Sequence, residues 1–466
     1  MYKHVSANLG FLLQIAGLLS VFPILVGLYL NETQTLVSLF LTCVSFLVCG
    51  FLMNALAERK DLDFKSSCVL LLVAFLVMPL IGAIPYIYDD PFNSPNYIER
   101  FTNAYFKSIS GFTTTGFSFV SNSDALPKSF LIYRSLTELM GGVGVVFLLL
   151  AFFNSRKSLN SLGSALGIES IGDNLKRIFF SVFLIYSIYI IVFTIIFYIF
   201  GFQDIVKTGS FVIDTITGGY QPSPERFQQY LSIPIRVFIL ILMFVGSVKF
   251  SFNYHLFALK PIKALSKEVL LYLLVIIIGT FLIFFLTGKE ALDSLFHIVS
   301  MSSSTGYDYI NIPALNDTAK SIFILLMILG GCSFSMAGGV KMSRIISFLK
   351  SIKQSVEDIL TKEKVIQKES KGAEANNVEY LSALVAILLF AATFFIFSII
   401  FSTIGISFTD ALFEIGSALT TNGISMGATT IFMPMIYKWL LIIAMIIGRI
   451  EIIPILIALS PYKRTE

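Results

Sequence analysis

The sequence predicts an all-α polytopic membrane protein: four pseudo-symmetric repeats arranged around one axis, preceded by an N-terminal helical hairpin. Three observations predict it. Of the 466 residues, 56% are hydrophobic and 13% charged, whereas soluble domains carry about 25% charged residues. Apolar runs of about 18 residues or more recur along the chain, and they lack the strict alternation of β-barrel strands. Four short strings also occupy the same place between such runs: Thr114-Thr115-Gly116-Phe117, Thr217-Gly218-Gly219-Tyr220, Ser304-Thr305-Gly306-Tyr307 and Thr421-Asn422-Gly423-Ile424. They recur at intervals of roughly a hundred residues, as an internal repeat with variable loops would.

Ten spans are predicted, over residues 8–30, 34–56, 66–88, 129–153, 178–201, 231–257, 268–287, 320–349, 379–404 and 436–459. The stretches 101–112, 205–216, 292–303 and 409–420 are apolar but too short to cross, since a crossing takes about 20 residues. Each runs into one of the strings and is predicted as a half-helix. The unit is therefore span, pore helix, filter-like loop, span, repeated around one pore. The expected divisions are a hairpin over 1–60 and units over 61–157, 158–264, 265–375 and 376–466. Phe106, Phe296 and Phe413 each lie ten residues before their glycine, and Gly209 takes the matching place in the second copy. The run from Phe11 to Leu30 has no small-residue cleavage site after it, so no cleaved leader is expected.

Charge sets the expected orientation. Arg59, Lys60 and Lys65, then Arg156 and Lys157, Lys260 and Lys263, Lys350, Lys353, Lys362 and Lys364, and finally Lys463 and Arg464 all fall on one side by alternation. That side is read as cytoplasmic, with both termini inside and the chain in the cytoplasmic (inner) membrane. The four strings then face outward, among Asp89, Asp90, Glu99, Asp124, Asp204, Glu225, Asp308 and Asp317. An acidic mouth concentrates cations; solvated loop charge is the alternative. The net charge of +4 is a topology signal, and no nucleic-acid partner is expected; the lipid bilayer is. Cys43, Cys49, Cys68 and Cys332 lie in apolar runs and read as small core residues. His4, His255 and His297 are isolated. No nucleotide loop, catalytic triad or metal motif is present, so an enzyme is not expected.

Irregular backbone at membrane depth is tolerated only when buried in protein or lining a watery cavity. The four strings are rich in Thr, Ser and Gly, and glycine allows positive φ. None carries a carboxylate ring, which favours carbonyl coordination of a monovalent cation such as potassium. The half-helices aim their negative C-terminal ends at the strings.

On these strings the chain resembles the Trk/Ktr family of potassium uptake proteins, over roughly residues 66–460, and its extra hairpin makes it more similar to the Trk branch. The resemblance implies a K+ filter formed by Thr114, Thr115, Gly116, Thr217, Gly218, Gly219, Ser304, Thr305, Gly306, Thr421, Asn422 and Gly423, with K+ as permeant ion, Rb+ also accepted and no covalently bound cofactor. Glycine in all four copies implies K+ preference, since relatives with serine in the first copy tend to admit sodium. It also implies a homodimer and a cytoplasmic nucleotide-binding regulatory subunit.

The segment Gly330-Gly331-Cys332-Ser333-Phe334-Ser335-Met336-Ala337-Gly338-Gly339-Val340-Lys341 interrupts the eighth span. Such a run makes a poor helix. It resembles the family's intramembrane gating loop, which implies a gate formed by Gly330, Gly331, Gly338, Gly339 and Lys341. Phe334 and Met336 depart from the family's usual Gly and Thr. Gly448-Arg449-Ile450-Glu451 is similar to the family's G-R-x-E string, and the resemblance places Arg449 at the pore as a barrier to cations; an arginine reaching for the cytoplasmic interface is the alternative. Lys249 reads as a lysine extending to the inner interface. Glu138, Asp214 and Glu414 are expected to bond loop backbone. Two further readings stay open: a K+/Na+ or K+/H+ coupled symporter, and the K+-binding subunit of an ATP-driven pump.

Overall fold

The computed structural model describes residues 2–55, 62–117, 119, 126–152, 175–221, 232–257, 265–361 and 371–461. These residues are helices and loops, with no strand among them. The hairpin consists of α1 (Tyr2–Leu19), α2 (Val21–Leu30) and α3 (Thr33–Ala55). It turns at Asn31, whose left-handed backbone (φ 57°) lets its N–H reach back to Gly27 and Leu28. Glycines allow α1 and α3 to pack closely, since a Cβ on Gly10 would lie 2.7 Å from the Gly50 carbonyl oxygen.

The first unit holds α4 (Phe64–Gly82), its continuation α5 (Ile84–Asp89), the half-helix α6 (Tyr97–Phe112) and α7 (Lys128–Phe152). The second holds α8 (Leu175–Ile199), the half-helix α9 (Ile205–Thr217), α10 (Ile233–Ser247) and α11 (Phe250–Phe257). The third holds α12 (Lys267–Thr287), the half-helix α13 (Ala291–Ser302), α14 (Asp317–Leu329) and, beyond the glycine-rich segment, α15 (Met342–Thr361). The fourth holds α16 (Lys371–Ser402), the half-helix α17 (Phe408–Leu419), α18 (Met435–Ile450) and α19 (Ile452–Leu459). Three half-helices start where a side chain caps free N–H groups. Asn96 accepts from Glu99 N at 2.8 Å, Asp204 from Val206 N at 3.1 Å, and Ser407 from Asp410 N at 3.1 Å.

The four units close on themselves. Each half-helix packs between the two spans of its own unit, and the second span of each unit packs on the half-helix of the next: α7 on α9, α10 on α13, α14 on α17, and α18 back on α6. The same four interfaces each carry a polar staple from a Lys or Arg. Lys128 meets Asp204 at 2.7 Å, Arg236 meets Asp293 at 2.7 Å, Lys320 meets Asp410 at 2.8 Å, and Lys438 donates to Asn103 Oδ1 at 2.7 Å. The partly exposed pairs contribute little individually; their recurrence fixes the same register at every seam.

Among the described residues, five helical stretches are long and apolar enough to cross a membrane: Lys3–Leu30, Thr33–Ala55, Phe64–Asp89, Lys267–Thr287 and Tyr380–Ser402. Two more predicted spans are bent pairs, α10/α11 by 116° and α18/α19 by 98°. The predicted span over 320–349 is not one helix but α14 and α15 separated by the glycine-rich segment. The expected unit boundary after residue 375 falls inside the continuous helix α16, and the junctions at 60, 157 and 264 lie outside the described residues. So do Arg59, Lys60, Asp124, Arg156, Lys157, Glu225, Lys260, Lys263, Lys362, Lys364, Lys463 and Arg464.

Three half-helices end directly on a glycine of the span that follows. A Cβ on Gly141 would lie 1.9 Å from Phe112 O, one on Gly246 2.3 Å from Ile216 O, and one on Gly448 2.2 Å from Leu419 O. Overpacking of this kind costs about 1–3 kcal/mol. Gly141→Ala and Gly448→Ala should each lower the thermal unfolding midpoint of the purified protein. Gly209→Ala, in a helix whose nearest outside atom is 4.0 Å away, should be neutral or stabilising by up to about 1 kcal/mol.

Candidate functional site: a ring of four loops

The half-helices converge on the four strings and shape them by the same bonds. Ser110 O accepts from Thr115 N at 2.8 Å and Gly116 N at 3.3 Å, Ser300 O from Thr305 N at 3.2 Å and Gly306 N at 3.3 Å, and Ser417 O from Asn422 N at 2.8 Å. In these copies a left-handed residue precedes a left-handed glycine by two: Thr114 (φ 55°) and Gly116 (81°), Ser304 (60°) and Gly306 (71°), Thr421 (53°) and Gly423 (81°). Only special surroundings hold a threonine there.

The second copy differs. Asp214 O accepts from both Gly218 N and Gly219 N at 3.0 Å, and Gly218 (φ 78°) is its left-handed residue. One residue fewer separates that carbonyl from the glycine. The position matching Phe106, Phe296 and Phe413 is therefore Ser210, not Gly209 as the sequence spacing suggests. Those three phenylalanines are fully buried.

Each loop presses on the next, and the contacts run full circle. A Cβ on Gly116 would lie 2.7 Å from Gly219 O. On Gly218 it would lie 2.4 Å from Ser304 O, on Gly306 1.8 Å from Asn422 O, and on Gly423 1.8 Å from Thr115 O. The twelve residues expected at this site are thus brought together, all buried except the half-buried Gly423. Thr114 Oγ1, Thr421 Oγ1 and Asn422 Oδ1 are buried oxygens without a hydrogen-bond partner in the protein. Unpaired buried polar atoms are costly, and this group, from the first and fourth loops, suits a polar or cationic guest. No cluster of His, Cys, Asp and Glu suited to a metal ion exists among the described residues.

A charged cluster backs the first two loops. Glu138 on α7 is fully buried; its carboxylate accepts from Tyr220 N at 3.0 Å and Thr217 Oγ1 at 3.2 Å. A Cβ on Gly219 would strike it at 1.7 Å, which explains that glycine without any appeal to φ. Lys107 donates to Phe117 O at 2.8 Å and stands 3.6 Å from the Tyr220 ring, while Arg134 stands 4.1 Å from the same ring. Sequence reasoning missed Lys107 and Arg134, although a lysine inside a half-helix is itself a signal. Asp214 bonds the loop through its main chain, and its Oδ1 has no hydrogen-bond partner. Glu414 holds the segment after the fourth string, accepting from Met426 N at 2.8 Å, Ala428 N at 3.1 Å, and Ser425 and Thr429 hydroxyls at 2.6 Å.

The glycine-rich segment lies against one side of the ring. Gly338 N donates to Ser304 Oγ at 2.9 Å, and a Cβ on Gly338 would lie 2.2 Å from Thr420 O. Gly330 and Gly339 are left-handed and meet each other: a Cβ on Gly339 would lie 2.8 Å from Gly330 Cα. Gly331 abuts Ser247 O, and Lys341 Nζ donates to Ala337 O. Arg449 is turned into the protein. It donates to Met336 O at 3.0 Å, Gly141 O at 2.9 Å and Gly142 O at 3.2 Å. Glu451 pairs with Arg344. Lys249 pairs with Glu268, buried in the first turn of α12, a residue that sequence reasoning also missed.

A closed ring of half-helices and loops among apolar spans defines a polytopic membrane protein with one axial site. The family described as TrkH cation transport protein matches residues 39–288 and 285–464, and the chain belongs to this family of transport proteins, not enzymes. An uncharacterized cation transporter of Methanocaldococcus jannaschii is 30% identical, over 96% of this chain and 93% of its own. The Trk system potassium uptake protein TrkG of Escherichia coli is 23% identical over 99% and 98% of the two chains. The crystal structure of the potassium transporter TrkH from Vibrio parahaemolyticus superposes with a TM-score of 0.84 over 99% of both chains, at 20% identity.

Glu138→Ala would strip Tyr220 N–H of its acceptor and leave Lys107 and Arg134 with Asp214 as the remaining carboxylate of the cluster. Breaking a buried charge arrangement costs about 3–5 kcal/mol, so this variant should lose most of its heat resistance in detergent. Tyr220→Phe, which removes only the hydroxyl bond to Lys107 O at 3.0 Å, should cost about 1 kcal/mol.

Proposed function

We propose that the chain is the membrane subunit of a potassium uptake system, passing K+ inward through the four-loop ring as a selectivity filter. The observation that carries this reading is the closed circle in which the carbonyl oxygens of Thr115, Gly219, Ser304 and Asn422 lie packed against the neighbouring glycines, with unpaired Thr114 and Thr421 hydroxyls beside them. Backbone carbonyls and hydroxyls can replace the hydration shell of a potassium ion. The half-helices end at the ring, so their negative dipole ends favour a cation there. Relatives named as potassium uptake proteins support the choice of ion. In the expected orientation the ring faces outward and both termini lie inside. The glycine-rich segment and Arg449 then form the barrier on the cytoplasmic side. Rb+ is accepted as a K+ surrogate, two copies of the chain associate, and a cytoplasmic nucleotide-binding subunit sets the open state.

Uptake of 86Rb+ by liposomes holding the purified chain tests the reading directly; tightly sealed, inactive liposomes would overturn it. Gly116→Ser places a side chain against the Gly219 backbone and forces the ring apart. The Na+ to K+ permeability ratio should rise severalfold, and an unchanged ratio would remove this loop from the filter. Arg449→Ala deletes three bonds to carbonyls and the barrier charge. Basal Rb+ flux should increase; a flux equal to or below wild type would deny Arg449 that role.

A further inference from the structure

The sixth predicted span breaks just after a Gly246-Ser247 pair, which permits a kink but does not fix its size. Between α10 and α11 only Val248 and Lys249 intervene, with no proline, yet the axis turns by 116°. Kinks have identifiable causes, and an inserted group is one of them. In a continuous helix the carbonyl of Gly246 would accept from the N–H of Phe250, four residues on. Here Gly246 O accepts from Met336 N at 3.0 Å, and Phe250 N donates to Phe334 O at 3.1 Å. Ser247 O accepts from Cys332 N at 2.9 Å. The glycine-rich segment is thus spliced into the missing rung of the α10–α11 ladder. Straightening that elbow would re-form the Gly246–Phe250 bond and expel the segment.

One ion pair spans this junction. Lys249, at the elbow, pairs with Glu268 in the first turn of α12. Glu268 is 3% exposed, and its other oxygen accepts from Ser333 N of the glycine-rich segment. One carboxylate therefore ties the elbow to the segment. The remaining charges near the segment, Lys341, Arg344, Arg449 and Glu451, are engaged with Ala337 O, with the carbonyls of Met336, Gly141 and Gly142, and with each other through the Arg344–Glu451 pair.

We infer that the α10–α11 elbow is a two-state switch, that its bent form docks the glycine-rich segment by lending it helix hydrogen-bond partners, and that the Lys249–Glu268 pair is the latch holding it bent. Lys249 and Glu268 are positioning residues; neither touches the ring. The inference rests on the reading of the segment as the gate. It names the α11 segment, which leads into the connection to α12, as the place where a cytoplasmic input acts.

The test uses the native Cys332, which is buried in the docked segment. Its modification by a maleimide on inside-out vesicles is read at the Cys332 peptide by mass spectrometry, beside 86Rb+ flux of the same vesicles. Glu268→Gln and Lys249→Met should each raise both the Cys332 labelling rate and the basal flux, on the order of tenfold. Lys249→Arg, which keeps the pair, should behave as wild type. Faster labelling with unchanged flux would uphold the latch and overturn the gate reading. Unchanged labelling in variants of wild-type thermal stability would overturn the latch, whatever the flux does. A Lys249→Arg variant that labels as fast as Lys249→Met would overturn it too.

Discussion

The structure depends on one constraint: each of the four loops is shaped by the loop beside it. The carbonyls of Thr115, Gly219, Ser304 and Asn422 occupy the space where a side chain on the neighbouring glycine would stand. No unit can therefore set its loop alone, and no glycine in the circle is free to change for its own sake. The outer architecture repeats the same logic at larger scale. Every second span packs on the following half-helix and carries a Lys or Arg staple to it. Closure removes any end at which irregular backbone would face lipid, which the bilayer does not tolerate.

Within this symmetry the copies are specialised by which side supports them. The first and third loops are near duplicates, down to the hydroxyl pairs Thr113–Thr115 and Ser303–Thr305 at 2.8 Å. The fourth trades the threonine for Asn422, whose amide donates to Met301 O at 2.8 Å and ties it to the third half-helix. The second is a residue shorter, has its left-handed glycine at Gly218, and leans on Glu138 through Tyr220 N. A buried carboxylate backed by Lys107 and Arg134 thus lies behind one side of the ring and not the others. The charge around the axis is lopsided although the backbone is nearly fourfold.

Much of this was legible in the sequence, for physical reasons. A half-helix is visible as an apolar stretch too short to span, and the predicted stretches match α6, α9, α13 and α17 to within a few residues. The strings and the glycine-rich interruption were visible because glycine and threonine clusters are improbable inside spans. A further signal went unread: Gly141, Gly331 and Gly448 each follow their ring glycine by 25 residues, and two of them mark where a half-helix end meets a span. The elbow at Val248 was legible only as a Gly246-Ser247 pair, a common kink site, beside the intramembrane Lys249. Its bonds are made with residues some ninety positions away, and hydropathy reports only that the stretch is apolar. Glu268 was overlooked because a charge in the first turn of a span reads as an ordinary cap.

The two bent spans show why a helix break inside a membrane protein can be specific. A break frees carbonyls and N–H groups that lipid cannot satisfy, so something must bond them. At α10–α11 that partner is the glycine-rich segment. At α18–α19 the turning residue, Glu451 (φ 71°), sends its carboxylate to Arg344, just beyond the segment's other end. The same segment is therefore held at both ends by broken helices, one through backbone and one through charge. Glycine at 330, 331, 338 and 339 lets the chain come close enough to make these bonds, and it also makes the segment a poor helix in its own right. A segment that is a poor helix and supplies the partners missing from the α10–α11 ladder has its position set by that break.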